Sequence, residues 1–249
     1  MSKRWLSLTM VGMVAAIAGF GPVGNALGAD AKADAPVVVS DPANDPTKPA
    51  PGSVRWFMPS HNRYLEQTKN KKIELCFLGD SITQMWPADL FEKYYGKDNA
   101  VNFGIGGDKT QNVLWRLENG ELAGTSPRVI VLLIGTNNLG VNSPEEIAAG
   151  ITAVVKSLRT KFPKTRILLL GIFPKKDNVG EKIAATNAIV AKLDDGKMVR
   201  YLDIGSAFLD KDRKLRDDVM SDQVHLNRKG YEIWGAAIRP LLAKMMMGK

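Results

Sequence analysis

The sequence predicts an α/β fold in which a five-stranded parallel sheet lies between two layers of helices. Five short apolar runs recur along the chain, and each ends at glycine, proline or polar residues. Helical patterns separate these runs, which is the alternation typical of a parallel sheet. Runs that are apolar throughout indicate strands buried on both faces. Because crossovers between parallel strands are right-handed, a doubly wound, flavodoxin-like arrangement of three layers, α/β/α, is favoured.

Each predicted strand is a short apolar segment with an abrupt end. The third is the clearest, because it is rich in β-branched residues and closes at Gly135. The first ends at Gly79, and the fourth ends shortly before Pro174. In chain order, the predicted strands cover residues 73–78, 100–103, 128–134, 166–172 and 198–204.

Three helices are predicted from their caps and from apolar residues at helical spacing. Ser143 and Glu146 form a capping box around Pro144, which stands at the first helical position. A second helix is predicted over residues 181–193, and Asn227 can cap the last one. The apolar faces of the first and last helices consist of Ile147, Ile151, Val154, Val155 and Leu158, and of Tyr231, Trp234, Ile238, Leu241 and Leu242.

Length and composition limit the classes of function. The chain has 249 residues, 34 Lys+Arg against 26 Asp+Glu, and a formal net charge of +8, so it can form one domain with a substantial core. Its basic residues are dispersed, which does not favour nucleic-acid binding. A single cysteine, Cys76, excludes an intramolecular disulfide and is predicted to be a buried thiol. Two histidines, His61 and His225, leave few routes to a His-rich metal site.

The N-terminal region is predicted to direct export to the periplasm or the cell exterior. Residues 1–29 begin with Lys3 and Arg4, continue with an uncharged apolar stretch and end in small residues, the pattern of a secretory signal peptide. Retention as an N-terminal anchor is the alternative, although a span needs about 20 strongly apolar residues. Residues 30–53 are proline-rich and predicted as a linker, which leaves residues 54–249 as one domain.

Polar and glycine-rich clusters follow the first three predicted strands. Ligands bind beyond the carboxyl ends of parallel strands, so residues 79–83, 102–108 and 135–138 are predicted to meet at one site. A fourth cluster at residues 221–225 precedes the last helix, whose N-terminus can reach the same edge of the sheet.

These clusters contain the groups needed for nucleophilic catalysis. The Ser81 hydroxyl needs a base to take its proton, and His225 is suited to that role because histidine titrates near neutrality. Asp222, three residues earlier, can orient the imidazole. The backbone N–H groups of Ser81 and Gly107 and the side-chain amide of Asn137 could stabilise an oxyanion. Taken singly, Ser81 could cap a helix and His225 could be structural. Only the combination points to catalysis.

With these residues the chain resembles the SGNH hydrolases, the GDSL lipase/esterase superfamily. The four motif blocks of that superfamily match residues 79–82, 102–107 and 135–138 and the pair Asp222 and His225. Ile82 stands where the motif that names the superfamily has leucine. Within the superfamily, residues 102–108 and 113–122 are most similar to the platelet-activating-factor acetylhydrolase catalytic subunits and their bacterial relatives.

The resemblance implies a three-layer α/β/α fold, ester hydrolysis by a serine, a preference for short acyl groups, and no metal or organic cofactor. It implies that Ser81 is the nucleophile, His225 the base and Asp222 its orienter. Gly107 and Asn137 then join Ser81 in the oxyanion hole. We further predict that three residues adjoining these in sequence wall the acyl pocket and favour acetyl groups. They are Ile82, Thr136 and Val224. His61 lies outside every motif block and is interpreted as a surface or packing residue.

The resulting hypothesis is a secreted serine esterase that hydrolyses acetyl or other short-acyl esters through an acyl-enzyme intermediate. An acetylated glycan or small ester is the expected substrate, with no nucleic-acid partner and no stable membrane insertion after signal cleavage. A lysophospholipase or lipid acetylhydrolase of the platelet-activating-factor type is an alternative, as is a catalytically silent binding module on the same fold. A nucleotide-binding function is disfavoured, because Lys109 stands where the dinucleotide fingerprint has its last glycine. Some relatives are dimers, so a homodimer stays open.

Overall fold

A computed structural model describes residues 44–248 of the chain. The predicted signal peptide and residues 30–43 of the predicted linker lie outside the described residues. The strands within that range are β1 (Leu75–Gly79), β2 (Ala100–Gly104), β3 (Val129–Leu133), β4 (Arg166–Leu170) and β5 (Val199–Leu202). All neighbouring strands of this sheet are parallel, and their order is β2-β1-β3-β4-β5. The predicted fold class is confirmed.

Seven α-helices precede, connect or follow these strands in the described part of the chain. They are α1 (Phe57–Asn70), α2 (Ser81–Gln84), α3 (Ala88–Tyr95), α4 (Thr110–Glu118), α5 (Pro144–Lys161), α6 (Gly180–Val190) and α7 (Arg228–Met246). Short 3-10 segments occur at Gly96–Asp98, Thr136–Asn138, Ala191–Leu193, Gly205–Phe208 and Asp217–Val219. None of the helices in residues 44–248 has the length and apolar character needed to cross a bilayer.

The predicted helix caps are confirmed. The Glu146 backbone N–H donates to Ser143 Oγ at 3.2 Å, and the Ser143 N–H donates to Glu146 Oε2 at 2.7 Å, which completes the capping box of α5. The Gly230 N–H donates to Asn227 Oδ1 at 3.1 Å at the start of α7. The helix predicted over residues 181–193 is α6 followed by the 3-10 segment Ala191–Leu193.

Alternate residues of the central strands face opposite layers of helices. Cys76 and Leu78 belong to the hydrophobic cluster beneath α1, α4, α5 and α6, whereas Leu75 and Phe77 belong to the cluster beneath α2, α3 and α7. All four side chains are fully buried. This burial on both faces explains why the strands read as continuous apolar runs rather than as alternating ones.

The carboxyl ends of β1, β2 and β3 lie side by side. Gly79, the last residue of β1, pairs with Gly104 of β2 and with Leu133 of β3. A Cβ atom at Gly104 would lie only 2.2 Å from the Gln84 backbone nitrogen. The absence of a side chain there lets α2 pack directly over the end of β2. The segments that follow these three strands are therefore brought to one edge of the sheet.

The described end of the predicted linker is attached to the domain. Pro46 is buried, and its carbonyl oxygen accepts a hydrogen bond from Thr110 Oγ1 at 2.9 Å. The Ala50 carbonyl oxygen accepts from Asn112 Nδ2 at 2.9 Å. Side chains of α4 therefore satisfy carbonyl groups of this segment. Residues ahead of the boundary predicted at Val54 therefore contact the domain.

Candidate active site

Ser81 is the first residue of α2 and follows β1 after a single intervening residue, Asp80. The Asp80 side chain caps this helix by accepting a hydrogen bond from the Ile82 N–H at 2.9 Å. The alternative interpretation of Ser81 as the cap is therefore wrong, and its hydroxyl is left for other contacts. Burial raises the pKa of Asp80 to about 7, because a desolvated carboxylate is costly.

His225 and Asp222 meet Ser81 across the sheet edge. His225 Nε2 lies 2.9 Å from Ser81 Oγ, and His225 Nδ1 lies 2.7 Å from Asp222 Oδ2. A proton on Nδ1, which the carboxylate favours, leaves Nε2 free to accept from the serine hydroxyl. The three side chains thus form one hydrogen-bonded chain of carboxylate, imidazole and hydroxyl, although 144 positions separate the serine from the histidine.

Asp222 is held in this geometry by local backbone hydrogen bonds. Its Oδ1 atom accepts from the N–H groups of Val224 and His225, each at 2.7 Å. The hydrogen bonds from the His225 ring and from the His225 and Val224 backbones lower the pKa of Asp222 to about 2. A lowered pKa means that the charged form is stabilised, so Asp222 is ionised at every pH well above that value.

The loop that carries Asp222 and His225 is fixed by its neighbours. The Ser221 N–H donates to the His225 carbonyl oxygen at 2.8 Å, which closes the turn. From the first turns of α7, the Tyr231 hydroxyl donates to the Ile82 carbonyl oxygen at 2.7 Å. This bond joins the helix after the histidine to the helix that begins with Ser81.

Two of the three predicted oxyanion donors, Gly107 and Asn137, lie on the segments that follow β2 and β3. Gly107 follows β2 with a φ of +87°, a backbone conformation that favours glycine. Asn137 belongs to the 3-10 segment after β3, and its Nδ2 atom donates to the Asp108 carbonyl oxygen at 2.9 Å. An amide nitrogen carries two hydrogens, so one N–H of Asn137 stays available. The N–H groups of Ser81 and Gly107 donate to no protein acceptor within residues 44–248.

The three residues predicted to wall an acyl pocket differ in exposure. Ile82 is 2% exposed and packs in the hydrophobic cluster beneath α2, α3 and α7. Thr136 is 5% exposed, and its hydroxyl oxygen has no hydrogen-bond partner in the described structure. Val224 is half-buried. Their role in acyl selection stays a prediction.

A buried charged cluster behind the Gly107 loop was not predicted from the sequence. Arg116 donates to the carboxylates of Asp108 and Glu121, and its Nε atom lies 2.9 Å from Glu121 Oε2. His61 Nδ1 lies 3.1 Å from that same oxygen, and all four side chains are at most 2% exposed. Because Asp108 follows Gly107 directly and also accepts from Asn137, this cluster anchors both candidate oxyanion donors.

The cluster does not provide a metal site. Among the described residues, no group of three or more His, Cys, Asp or Glu side chains is arranged to hold a metal ion.

Burial raises the pKa of the Cys76 thiol well above its usual value, so this side chain is a neutral core residue.

Comparisons with known proteins agree with the motifs and the fold. Residues 77–233 match the model of the GDSL-like Lipase/Acylhydrolase family. The chain is 35% identical over 218 residues to platelet-activating factor acetylhydrolase IB subunit alpha1 from Bos taurus, covering 84% of this chain and 93% of that protein. It is 39% identical over 185 residues to the alpha2 subunit from Rattus norvegicus, covering 72% and 80%. A solved Streptococcus pneumonia structure named for platelet activating factor matches with a TM-score of 0.67 and 25% identity, covering 74% and 92%.

Proposed function

The chain belongs to the GDSL-like lipase/acylhydrolase family, and we propose its function from that membership. It is therefore a carboxylic ester hydrolase. We propose further that it is a secreted serine esterase that removes acetyl and other short acyl groups. Ser81, His225 and Asp222 act as its catalytic triad, and the acyl acceptor is water. Acetylated glycans or small esters are the proposed substrates.

The observation that carries this proposal is the hydrogen-bonded chain from Asp222 through His225 to Ser81. In the proposed reaction, His225 Nε2 takes the Ser81 proton as Oγ attacks the carbonyl carbon of the ester. Asp222 stabilises the imidazolium that forms. The tetrahedral intermediate then expels the alcohol, which receives the proton from His225, and leaves an acyl-enzyme. A water molecule then gives a proton to His225 and attacks the acyl-enzyme. Ser81 is expelled, takes the proton back from His225, and the carboxylic acid is released.

The proposed oxyanion hole consists of the N–H groups of Ser81 and Gly107 and the free N–H of Asn137. Donors that are fixed before the reaction stabilise the developing negative charge without reorganising. The hydrogen bond from Asn137 Nδ2 to the Asp108 carbonyl oxygen supports this role, because it orients the amide.

Asn137→Ala is expected to lower kcat by about 10²–10³-fold, the usual effect of losing one oxyanion donor. Steady-state kinetics on p-nitrophenyl acetate measure this effect. Asn119→Ala is the matched control, because Asn119 also donates its side-chain amide to a backbone carbonyl but lies on the exposed end of α4. A loss of less than about threefold in Asn137→Ala would remove this residue from the proposed site.

The proposed preference for short acyl groups is supported by the acetylhydrolase relatives and by the bulk of Thr136 and Val224 beside the site. We expect a higher kcat/KM for p-nitrophenyl acetate than for the butyrate, and a higher value for the butyrate than for the octanoate. Val224→Ala is expected to reduce the ratio of kcat/KM for the acetate to that for the octanoate, because the smaller side chain makes room for the longer acyl chain. A higher kcat/KM for the octanoate in the unmodified protein would contradict the preference.

Lipid acetyl esters are the second candidate substrate class, because the relatives are named as platelet-activating factor acetylhydrolase subunits. Acetate release from acetylated sugars, acetylated xylan and an acetylated glycerophospholipid distinguishes the glycan class of substrate from the lipid class.

The proposed secretion is supported by the signal-peptide pattern of residues 1–29. The mass of the protein recovered from an expressing bacterial culture tests it, since cleavage removes that segment and retention does not.

A further inference from the structure

Trp56 immediately precedes α1. Its indole nitrogen is fixed by a hydrogen bond, while much of the ring system is exposed to solvent. Its indole N–H donates to the Gly106 carbonyl oxygen at 2.8 Å. The residue is nevertheless 46% exposed, which is unusual for a tryptophan in a folded domain. With its polar atom already satisfied, the side chain offers the solvent an apolar aromatic surface.

This aromatic surface lies next to the nucleophile. A Cβ atom placed on Gly106 would lie 3.4 Å from Trp56 Nε1 and 3.7 Å from Ser81 Cβ. The indole and the serine therefore flank the same glycine, which precedes the candidate oxyanion donor Gly107. An alcohol leaving from an acyl group on Ser81 would depart within reach of the ring.

One further side chain, Gln84 at the end of α2, belongs to this rim. Gln84 Oε1 accepts the Gly106 N–H at 2.9 Å, while its Nε2 atom has no protein acceptor within residues 44–248. The rim thus combines a flat aromatic face and an amide donor around one glycine.

We propose that Trp56 binds the alcohol part of the ester and that this alcohol is a sugar ring. A sugar ring has an apolar C–H face that suits an indole and hydroxyl groups that suit an amide donor such as Gln84. An acetylated lipid carries a long alkyl chain, which needs a continuous apolar channel. Trp56 is instead one of only five large hydrophobic side chains exposed in the described part of the chain. This inference rests on the proposed esterase function and names its substrate class.

Trp56 has a second contact that any test must separate from the first. Its hydrogen bond to the Gly106 carbonyl oxygen helps to position the loop that carries Gly107. Loss of this bond would change kcat equally for every ester, whereas loss of the aromatic face would raise KM only for an alcohol that stacks on it. Trp56→Phe removes the N–H but keeps an aromatic face, and Trp56→Ala removes both.

The test compares three esters: ethyl acetate, a monoacetylated methyl xyloside, and an acetylated alkyl glycerophosphocholine. Trp56→Ala is expected to raise KM for the xyloside ester about 5- to 10-fold, the usual effect of losing one stacked aromatic contact. KM for ethyl acetate should change less than about twofold, because ethanol offers no ring. Trp56→Phe should return KM for the xyloside ester to within about threefold of the unmodified value. Met58→Ala is the control, since Met58 is similarly exposed, at 43%, on α1.

The outcomes separate this inference from the proposed function. Hydrolysis of none of the three esters by the unmodified protein would refute the proposed action on acetyl esters and the inference with it. An active protein whose KM for the xyloside ester is unchanged in Trp56→Ala would refute only the role of Trp56. A rise in KM confined to the glycerophosphocholine ester, or an equal rise for all three esters, would overturn the assignment of a sugar.

Discussion

Replacing Ser81 with alanine is expected to lower kcat by about 10⁴-fold or more while the fold stays intact. The expectation follows from the 2.9 Å contact between Ser81 Oγ and His225 Nε2, because alanine has no oxygen for the histidine to activate. The residual rate would come from the oxyanion donors and from substrate binding alone. Turnover of p-nitrophenyl acetate measures the loss.

The fold should tolerate this change because Ser81 is half-buried and alanine is compatible with the first turn of α2. Thermal unfolding of the variant is expected to stay close to that of the unmodified protein. Ser206→Ala, at an exposed serine outside the candidate site, is the matched control. Near-normal turnover in Ser81→Ala would exclude the proposed serine mechanism.

A covalent probe distinguishes a silent binding protein from an enzyme with an unsuitable substrate. A fluorophosphonate reacts with an activated serine and leaves a mass increase on that residue. We expect labelling of the unmodified protein at Ser81 and none of Ser81→Ala. An unmodified protein that folds, hydrolyses no ester and takes up no label would instead be a binding module.

The sheet and its edge were predictable because strands that are buried on both faces have an uninterrupted apolar sequence. β1 and β3 are buried on both faces, so their sequences are apolar without interruption. Parallel pairing then brings the segments after β1, β2 and β3 to one edge, and the register confirms that arrangement. The proximity of those polar clusters followed from topology rather than from any single motif.

Helix α1 was not predicted, because half of the side chains that it buries are polar. The side chains that it buries include Ser60 and His61 as well as Phe57 and Tyr64. Since periodicity analysis looks for apolar residues at helical spacing, a face that contains a serine and a histidine gives no signal. The helix also contains Pro59 in its first turn, where proline is tolerated but reads as a helix breaker.

The charged cluster behind the Gly107 loop was missed for a related reason. Arginine is rarely buried, and nothing local indicates that Arg116 lies inside the domain. Its burial depends on two carboxylates that approach from different segments, Asp108 before α4 and Glu121 after it. Motif spacing identified Gly107 and Asn137 as candidates, but the anchoring of both through Asp108 is visible only in the structure.

The two histidines of this chain allow a direct test of where the catalytic base lies. We expect His225→Ala to lower kcat by about 10⁴-fold or more, comparable to the loss of the nucleophile. The His225 side chain is 25% exposed, so the space that its removal leaves is open to solvent and we expect little loss of stability. Added imidazole is expected to restore part of the turnover, because the truncated side chain leaves room for a free base beside Ser81.

His61→Ala is expected to lower stability while kcat per folded molecule stays near normal. His61 is 2% exposed, approaches the Glu121 carboxylate at 3.1 Å and packs edge-on against Trp115. Its truncation leaves a cavity and removes a partner from a buried carboxylate, which together cost about 2–4 kcal/mol. Urea unfolding measures the loss of stability. Active-site titration gives the concentration of folded enzyme, from which kcat per folded molecule is calculated. Turnover that survives His225→Ala but is lost in folded His61→Ala would move the base to the buried cluster.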